Sequence, residues 1–570
     1  MKVKKLCAIL IASCFLLTAC GTGGNDEKDN TQKPGAVSTG SNEPASTNEK
    51  GDPLAPYAEE VTLHMGAGLN SNVKFPEGQT MEKNDFLDII KNELNIKVVY
   101  DWISSDYNQK INLCISSNTL PDAMNINETQ YRSMLKYGQL QDITEPFDNG
   151  ASDTLKGIVK SGGQALQDLI TADGKMMAIP APNLKSAGVT TMWIRQDWLD
   201  KLGLNAPKTL DDLKAVAKAF ITRDPDGNNK ADTLGIIGPN NTGALCGIGG
   251  TQFSFDPIFG AYKSFPKYWL KDDSGNVIYG STTEQTKQAL AELAQMYKDG
   301  LIDPEILGRS DSTEPVLAGK AGIFFGPWWT GYTIIDSVIK NQFDWQAYAT
   351  PLAEDGKFYS HMAPAASQYV VVSKNCKNPE AAAKIISLLL RDEQKWIASG
   401  ITKNLPTSDV YPLYNVYDNA DEAEFSYDVL KKWLKGEIKM EDVDFTGHKL
   451  LKGDMEAIKP LKLEPVDNFS AKYWDVKNEL AQANLGRFVS FFSGMRPLME
   501  DGYEEVYGVY YGTTKTMESK WANLAKMEDQ AFAKIVLGQA SIDTFDKFVK
   551  DWNAQGGQEI IKEITESIKK

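Results

Sequence analysis

Val61-Thr-Leu-His-Met65, then Asp85-Phe-Leu-Asp-Ile-Ile-Lys-Asn-Glu-Leu94, then Ile96-Lys-Val-Val-Tyr-Asp-Trp102 form the stretch whose reading decides the fold. The outer two segments are short runs rich in β-branched and aromatic residues, and the middle one is an amphipathic helix. Strand, helix, strand at this spacing is a βαβ unit. Such a unit implies parallel strands and a doubly wound α/β sheet, because a crossover helix returns the chain in the same direction.

Outward from there, helices are predicted over Asp106–Ser117, Thr209–Phe220, Thr283–Asp299, Pro379–Leu390, Glu424–Lys435 and Thr516–Leu537. Apolar runs such as Gly322-Ile-Phe-Phe325 and Tyr369-Val-Val-Val-Ser373 punctuate them as buried strands. No internal repeat is visible, and no run after the first twenty residues is long enough to cross a bilayer.

Those first residues read as a targeting segment. Lys2, Lys4 and Lys5 give a basic start, Leu6 to Leu17 a short apolar run, and Leu17-Thr-Ala-Cys20 follows. The tetrapeptide resembles the bacterial lipobox, which implies acylation of Cys20 and anchorage on the outer face of the cell membrane. Residues 20–56 are rich in Gly, Ser, Thr, Asn and Pro and read as a disordered tether, which holds the body on the order of 30 Å from its anchor.

The chain of 570 residues has a formal net charge of −16, and −19 once the basic leader is removed. A surface that acidic repels phosphates, which excludes nucleic acid and anionic lipid headgroups as partners of choice. Beyond Cys20 only Cys114, Cys246 and Cys376 remain. They read as buried thiols, with one disulfide plus a free thiol as the other arrangement.

Asp224-Pro-Asp-Gly-Asn-Asn-Lys-Ala-Asp-Thr-Leu-Gly235 places oxygen-bearing side chains at Asp224, Asp226, Asn228 and Asp232, with the Lys230 carbonyl between the last two. Alternate oxygens on a tight turn suit a hard cation such as Ca²⁺. Gly227 is at the fourth position instead of the sixth, and Gly235 stands where an EF-hand has its bidentate Glu, so the expected site is structural and not a switch. The same residues also make an ordinary solvated turn.

Several motifs, in order, resemble the bacterial extracellular solute-binding proteins of the carbohydrate type. They are Leu120-Pro-Asp-Ala123 with Gly138-Gln-Leu-Gln-Asp-Ile-Thr144, Asp173-Gly-Lys-Met-Met-Ala-Ile-Pro180, Met192-Trp-Ile-Arg-Gln-Asp-Trp-Leu-Asp-Lys-Leu-Gly-Leu204, Ala318-Gly-Lys-Ala-Gly-Ile-Phe-Phe-Gly-Pro-Trp328 and Lys377-Asn-Pro-Glu-Ala381. The aspartate-rich loop resembles that of the alginate-oligosaccharide-binding proteins, and the C-terminal run Tyr511-Gly-Thr-Thr-Lys-Thr-Met517 resembles the tail of the LplA/YtcQ-like lipoproteins. Thr233 departs from the alginate-type loop, which has an acidic residue there.

The resemblance implies an α/β, two-lobed periplasmic-binding-protein-like fold of type II, each lobe a mixed, mostly parallel sheet flanked by helices, with a hinge between. It places a signal segment at 1–19, the tether at 20–56, one lobe at 57–182, the second at 183–357, a return to the first at 358–415 and a helical C-terminal region at 416–570. It implies a monomer that captures an oligosaccharide by hinge closure and delivers it to an ABC permease. The alternatives are a membrane-tethered polysaccharide-degrading enzyme and a ligand-sensing lipoprotein.

Sugars stack their C–H faces on aromatic rings, and the chain has 12 Trp and 22 Tyr. Trp328, Trp329 and Tyr332 follow a predicted strand in a loop, where open α/β sheets place ligands. They read as a stacking platform or as a core patch. Trp269 and Trp193 are further stacking candidates beside the same core alternative. Asp122 is positioned to accept sugar hydroxyls or to cap a helix. Arg195 either grips a uronate or pairs with Asp197 or Asp200. His64, His361 and His448 are scattered, and no nucleophile elbow or zinc motif accompanies them, so the reading is not catalytic.

Overall fold

The structure, a computed structural model, describes residues 51–70, 73–247, 250–403, 405–445, 448, 451–459, 470 and 485–568. The leader, Cys20 and the tether up to residue 50 lie outside the described residues.

The chain divides into two compact units. The first holds the residues up to Met124, Gln141–Ser152 and Val372–Tyr414; the second holds Asn125–Leu140, Asp153–Val371 and everything from Asn415 onward.

The first unit contains the expected βαβ element. Val61–Gly68 runs parallel to Ile96–Ser104, paired from Val61 opposite Ile96 to Gly68 opposite Ser104 with one slip after Met65, and Ala123 pairs with Met65 on the other side. Between the strands, the helix Asp85–Leu94 starts where the Asn84 side chain accepts from the Phe86 and Leu87 amides and stops where Asn95 turns left-handed at φ 54°. Phe86, Ile90 and Leu94, one turn apart, are fully buried. Phe86 meets Trp396 of the helix Ala381–Ser399 at 5.1 Å between ring centroids. At Gly66 a Cβ would lie 2.1 Å from the Trp102 ring, so only glycine fits where the parallel register slips.

The second unit is built on a four-stranded sheet in the order Trp345–Tyr348, Thr190–Arg195, Ala321–Pro327, Leu234–Ile237. Its two central strands are buried along their whole length, as unbroken apolar runs require. Only the last pairing is parallel; the other two are antiparallel, so in this unit the sheet is mixed rather than mostly parallel. Thr190–Arg195 reaches its neighbours through long excursions of chain, and the short-crossover rule that favours parallel pairing does not act on it.

C-terminal helices at Lys515–Val536, Thr544–Trp552 and Gln558–Ser567 share the core of this unit with the hairpin Trp269–Lys271 and Val277–Tyr279. The six predicted helices are all found, within a few residues of the expected ends except for Ala381–Ser399, which runs nine residues past Leu390. Cys114, Cys246 and Cys376 are free, buried thiols. Among the described residues no helix is long and apolar enough to cross a membrane.

Candidate functional site

The strand Ala321–Pro327 ends in a 3₁₀ turn, Trp328–Thr330, that leads directly into the helix Gly331–Asn341. The turn is held from behind. Trp328 is 7% exposed and stacks on Phe491 at 5.0 Å, and a Cβ on Gly494 would lie only 2.3 Å from the Trp328 carbonyl oxygen. Gln252 Nε2 donates to Thr330 Oγ1 at 3.3 Å and Thr333 Oγ1 at 2.8 Å, bracing the turn to the helix. In front, Trp329 is half-buried and Tyr332 is 45% exposed, leaning on Gly486. Trp328 is therefore the pier, and Trp329 with Tyr332 the rings that keep a solvent-facing surface.

The other stacking candidates are core residues in this structure. Trp193 is fully buried, parallel to Phe324 at 6.3 Å, and its Nε1 donates to the Gly326 carbonyl at 3.2 Å. Trp269 is packed against Tyr279 at 4.6 Å. Neither offers a face to a ligand. Arg195 takes the internal pairing: its guanidinium donates to both Asp197 oxygens at 2.7 and 2.6 Å and lies 3.9 Å from the Phe343 ring.

Asp122 belongs to the first unit, away in sequence and unit from the aromatic turn. Its carboxylate accepts from the His64 amide at 2.9 Å, its own amide donates to the His64 carbonyl, and its carbonyl accepts from Ser373. The residue thus links His64, inside the strand Val61–Gly68, to Ser373, just past the end of the strand Ala366–Val372. It also lines a cavity of about 660 Å³ with Tyr57, Thr62, His64 and Lys377.

A polar cluster that the sequence did not flag lies in the second unit. Asp256 accepts from Ser254 Oγ at 2.6 Å and from the Gly247 amide at 3.0 Å. His361 Nε2 is 3.9 Å from the same carboxylate, and the Tyr268 ring lies 4.9 Å from the imidazole. His361 and Asp256 are 105 positions apart, so only Ser254-x-Asp256 had a local signature. Because Ser254 gives its proton to Asp256 and not to the imidazole, the cluster does not form a nucleophile–base pair. His64 faces Asp101, and His448 lies flat on Phe425 at 3.7 Å.

In the aspartate-rich loop, Asp224, Gly227 and Asn229 all adopt positive φ, so the backbone coils back on itself. Asn228 Nδ2 donates to Asp226 Oδ2 at 2.7 Å and Asp232 Oδ1 at 2.9 Å, and the Asp224 carboxylate accepts from the backbone amides of Asn228 and Asn229. Asp226 beside it holds the Asp224 carboxyl below its usual range, while burial first and Asp224 second push Asp226 above its own. A divalent cation relieves such crowding, and the donors are all hard oxygens, so the residues fit calcium chemically. Among the described residues no three acidic, His or Cys side chains are already gathered for a metal. Thr233 turns its hydroxyl away to the Phe220 carbonyl at 2.8 Å, so it adds no ligand.

Comparison with known proteins follows the same line. The sequence profile of the bacterial extracellular solute-binding proteins matches residues 79–396. The polygalacturonan/rhamnogalacturonan-binding protein YtcQ of Bacillus subtilis is 23% identical over 488 residues, covering 84% of this chain and 86% of that protein. The fructooligosaccharide ABC transporter substrate-binding protein FusA of Streptococcus pneumoniae is 27% identical over 346 residues, 57% of this chain and 58% of its own. Among solved structures, a solute-binding protein of Bifidobacterium longum infantis described as binding HMO superposes with a TM-score of 0.55 at 18% identity, over 89% of this chain and 98% of that one. The alginate-binding protein AlgQ2 without calcium gives 0.52 at 15% identity, over 91% and 99%. At such identities the superpositions speak for the fold, which is that of periplasmic-binding-protein-like solute-binding proteins.

Proposed function

The chain belongs to the bacterial extracellular solute-binding protein family, whose profile spans residues 79–396 of its 570, and from that premise we propose that it is the lipid-anchored, extracellular binding component of an ABC importer. It captures an oligosaccharide by hinge closure and hands it to a membrane permease, and it performs no chemistry on its cargo. The observation that carries this reading is the match to the polygalacturonan/rhamnogalacturonan-binding relative over 84% of the chain. It is supported by the braced turn that leaves Trp329 and Tyr332 facing solvent. Rings held rigid before the ligand arrives lose little entropy on stacking. Cys20 carries the anchor.

In the same reading the loop at 224–232 holds a structural Ca²⁺ through Asp224, Asp226, Asn228, the Lys230 carbonyl and Asp232. The ion supplies positive charge to carboxylates that otherwise repel one another.

A thermal-shift screen of the mature protein against neutral and acidic oligosaccharides, with calcium and with a chelator, tests both parts. A ligand at 100-fold above its Kd raises stability by about 2.7 kcal/mol. Ligand returned intact fits a carrier, and release of cleaved product overturns it. Chelation that leaves Tm unchanged removes calcium from the loop.

A further inference from the structure

The first described residues of the chain are fastened to the first unit by one lysine. Lys384, on the helix Ala381–Ser399, is only 8% exposed, and its Nζ donates to the Pro53 carbonyl at 2.7 Å and the Ala55 carbonyl at 2.9 Å. The same ammonium stands 5.4 Å from the centre of the Tyr57 ring. Tyr57 in turn donates its hydroxyl to Glu380 at 2.8 Å and its amide to the Leu94 carbonyl at 3.0 Å, and it accepts from Asn95 Nδ2 at 3.0 Å.

The sequence explains why a dedicated donor is needed. Pro53 and Pro56 lack amide protons, so this segment cannot join a helix or a sheet by itself. A turn closed by the Ala55 amide on the Asp52 carbonyl at 3.0 Å brings the Pro53 and Ala55 carbonyls within reach of a single amine. An ammonium withdrawn from water is costly unless its donors are filled, so the carbonyls and the ring are what make the burial of Lys384 tolerable. Burial shifts its pKa down and Glu380 opposes that shift. The seat itself is rigid, because Gly150 comes so close that a Cβ there would lie 2.6 Å from the Glu380 carbonyl.

We propose that Lys384, with Glu380 and Tyr57, is a clamp that ends the tether. On that reading the tether ends ahead of the turn at Asp52–Ala55, and Pro53–Tyr57 is part of the folded body. The junction between anchor and body is thereby shielded from extracellular proteases, and the tether departs at the strand-start end of the first unit, beside the cavity lined by Tyr57 and Asp122. The proposal rests on reading residues 20–56 as a tether, and it moves the last few of them into the fold.

The test uses the whole mature chain in its wild-type form and as Lys384→Met, Lys384→Arg and Tyr57→Phe. Each is digested with subtilisin and the N-terminus of the resistant core is read by mass spectrometry, while hydrogen exchange follows the Tyr57 and Val61 amides. The wild-type core is expected to begin at or before Pro53, and the Lys384→Met core at or beyond Tyr57, with at least tenfold faster exchange at both amides. Amides of the strand Ile96–Ser104 should not change, which shows that the variant is folded. Arg restores part of the protection, and Phe gives a smaller loss.

Identical cores and identical exchange in wild type and Lys384→Met overturn the clamp. If Lys384→Met does not fold, Tyr57→Phe decides, because it removes the Glu380 bond and keeps the buried amine: unchanged exchange there also overturns it. A wild-type chain that resists cleavage before residue 50 refutes the tether and not the clamp, since the exchange comparison is read independently.

Discussion

Two aromatic groups in the second unit are made of the same residue types and have opposite fates. Trp269, Tyr279 and Trp552 interlock, with Tyr279 and Trp552 stacked at 4.6 Å, and all three are buried. Trp328, Trp329 and Tyr332 begin as densely, yet of the three only Trp328 is buried, against Phe491. What differs is the supply of chain behind and in front of them. The C-terminal helices close over the first group, whereas the second is backed by Phe491 and leaves Tyr332 45% exposed. An aromatic cluster becomes core or contact surface according to what arrives to cover it, and its own composition does not announce which.

The largest expected effect falls on the covered group. Trp552→Ala removes a fully buried indole and should cost about 3–5 kcal/mol of stability in urea unfolding, while the folded fraction binds ligand as before. If binding fails and stability holds, the division between the groups is wrong.

Next is the carboxyl at the heart of that group. Glu528 accepts from Tyr279 at 2.8 Å and Ser281 at 2.9 Å and faces Lys267, Asp529 and the Cys246 thiol. Burial pushes it up from 4.5 to about 7. The folded protein therefore keeps a proton that the unfolded chain has released, and the contribution of Glu528 to stability is full below about pH 4.5, falls as pH rises, and is lost by about pH 7. The loss amounts to roughly 3 kcal/mol. Glu528→Gln should flatten that slope; an unchanged slope sinks the assignment.

The uncovered group should show the reverse pattern. Trp329→Ala is expected to weaken oligosaccharide binding by about tenfold, the worth of one good ring contact, with Tm nearly constant. Tyr332→Ala, on the more exposed ring, should weaken it by a few-fold, as read by calorimetry. A large fall in Tm for either would make the turn a piece of core.

What could be read from the sequence is what is local. The βαβ opening is encoded within 44 residues, from Val61 to Ser104, by period, caps and turn, and it folds as expected. The Arg195–Asp197 pair was likewise within reach because its partners are two residues apart. The antiparallel pairing of Thr190–Arg195 with Ala321–Pro327 was not, since its partner arrives more than 120 residues later. Trp193 is sealed by Phe324 and Trp269 sits with Trp552, each decided by long-range contacts. Asp122 shows the converse: its residue type suited a sugar, while its place just ahead of Ala123 gives it hydrogen bonds to His64 and Ser373.

The three unpaired cysteines have a practical consequence. Cys114 and Cys376 lie in the first unit and Cys246 in the second, all shut away from solvent, with burial raising the Cys376 thiol to about 11 and Cys246 well above its usual range. An alkylating reagent reaches each sulfur only while its surroundings are open. The molecule thus carries its own unfolding clocks, two for one unit and one for the other, and timing their labelling would tell which half breathes first without adding a single foreign probe.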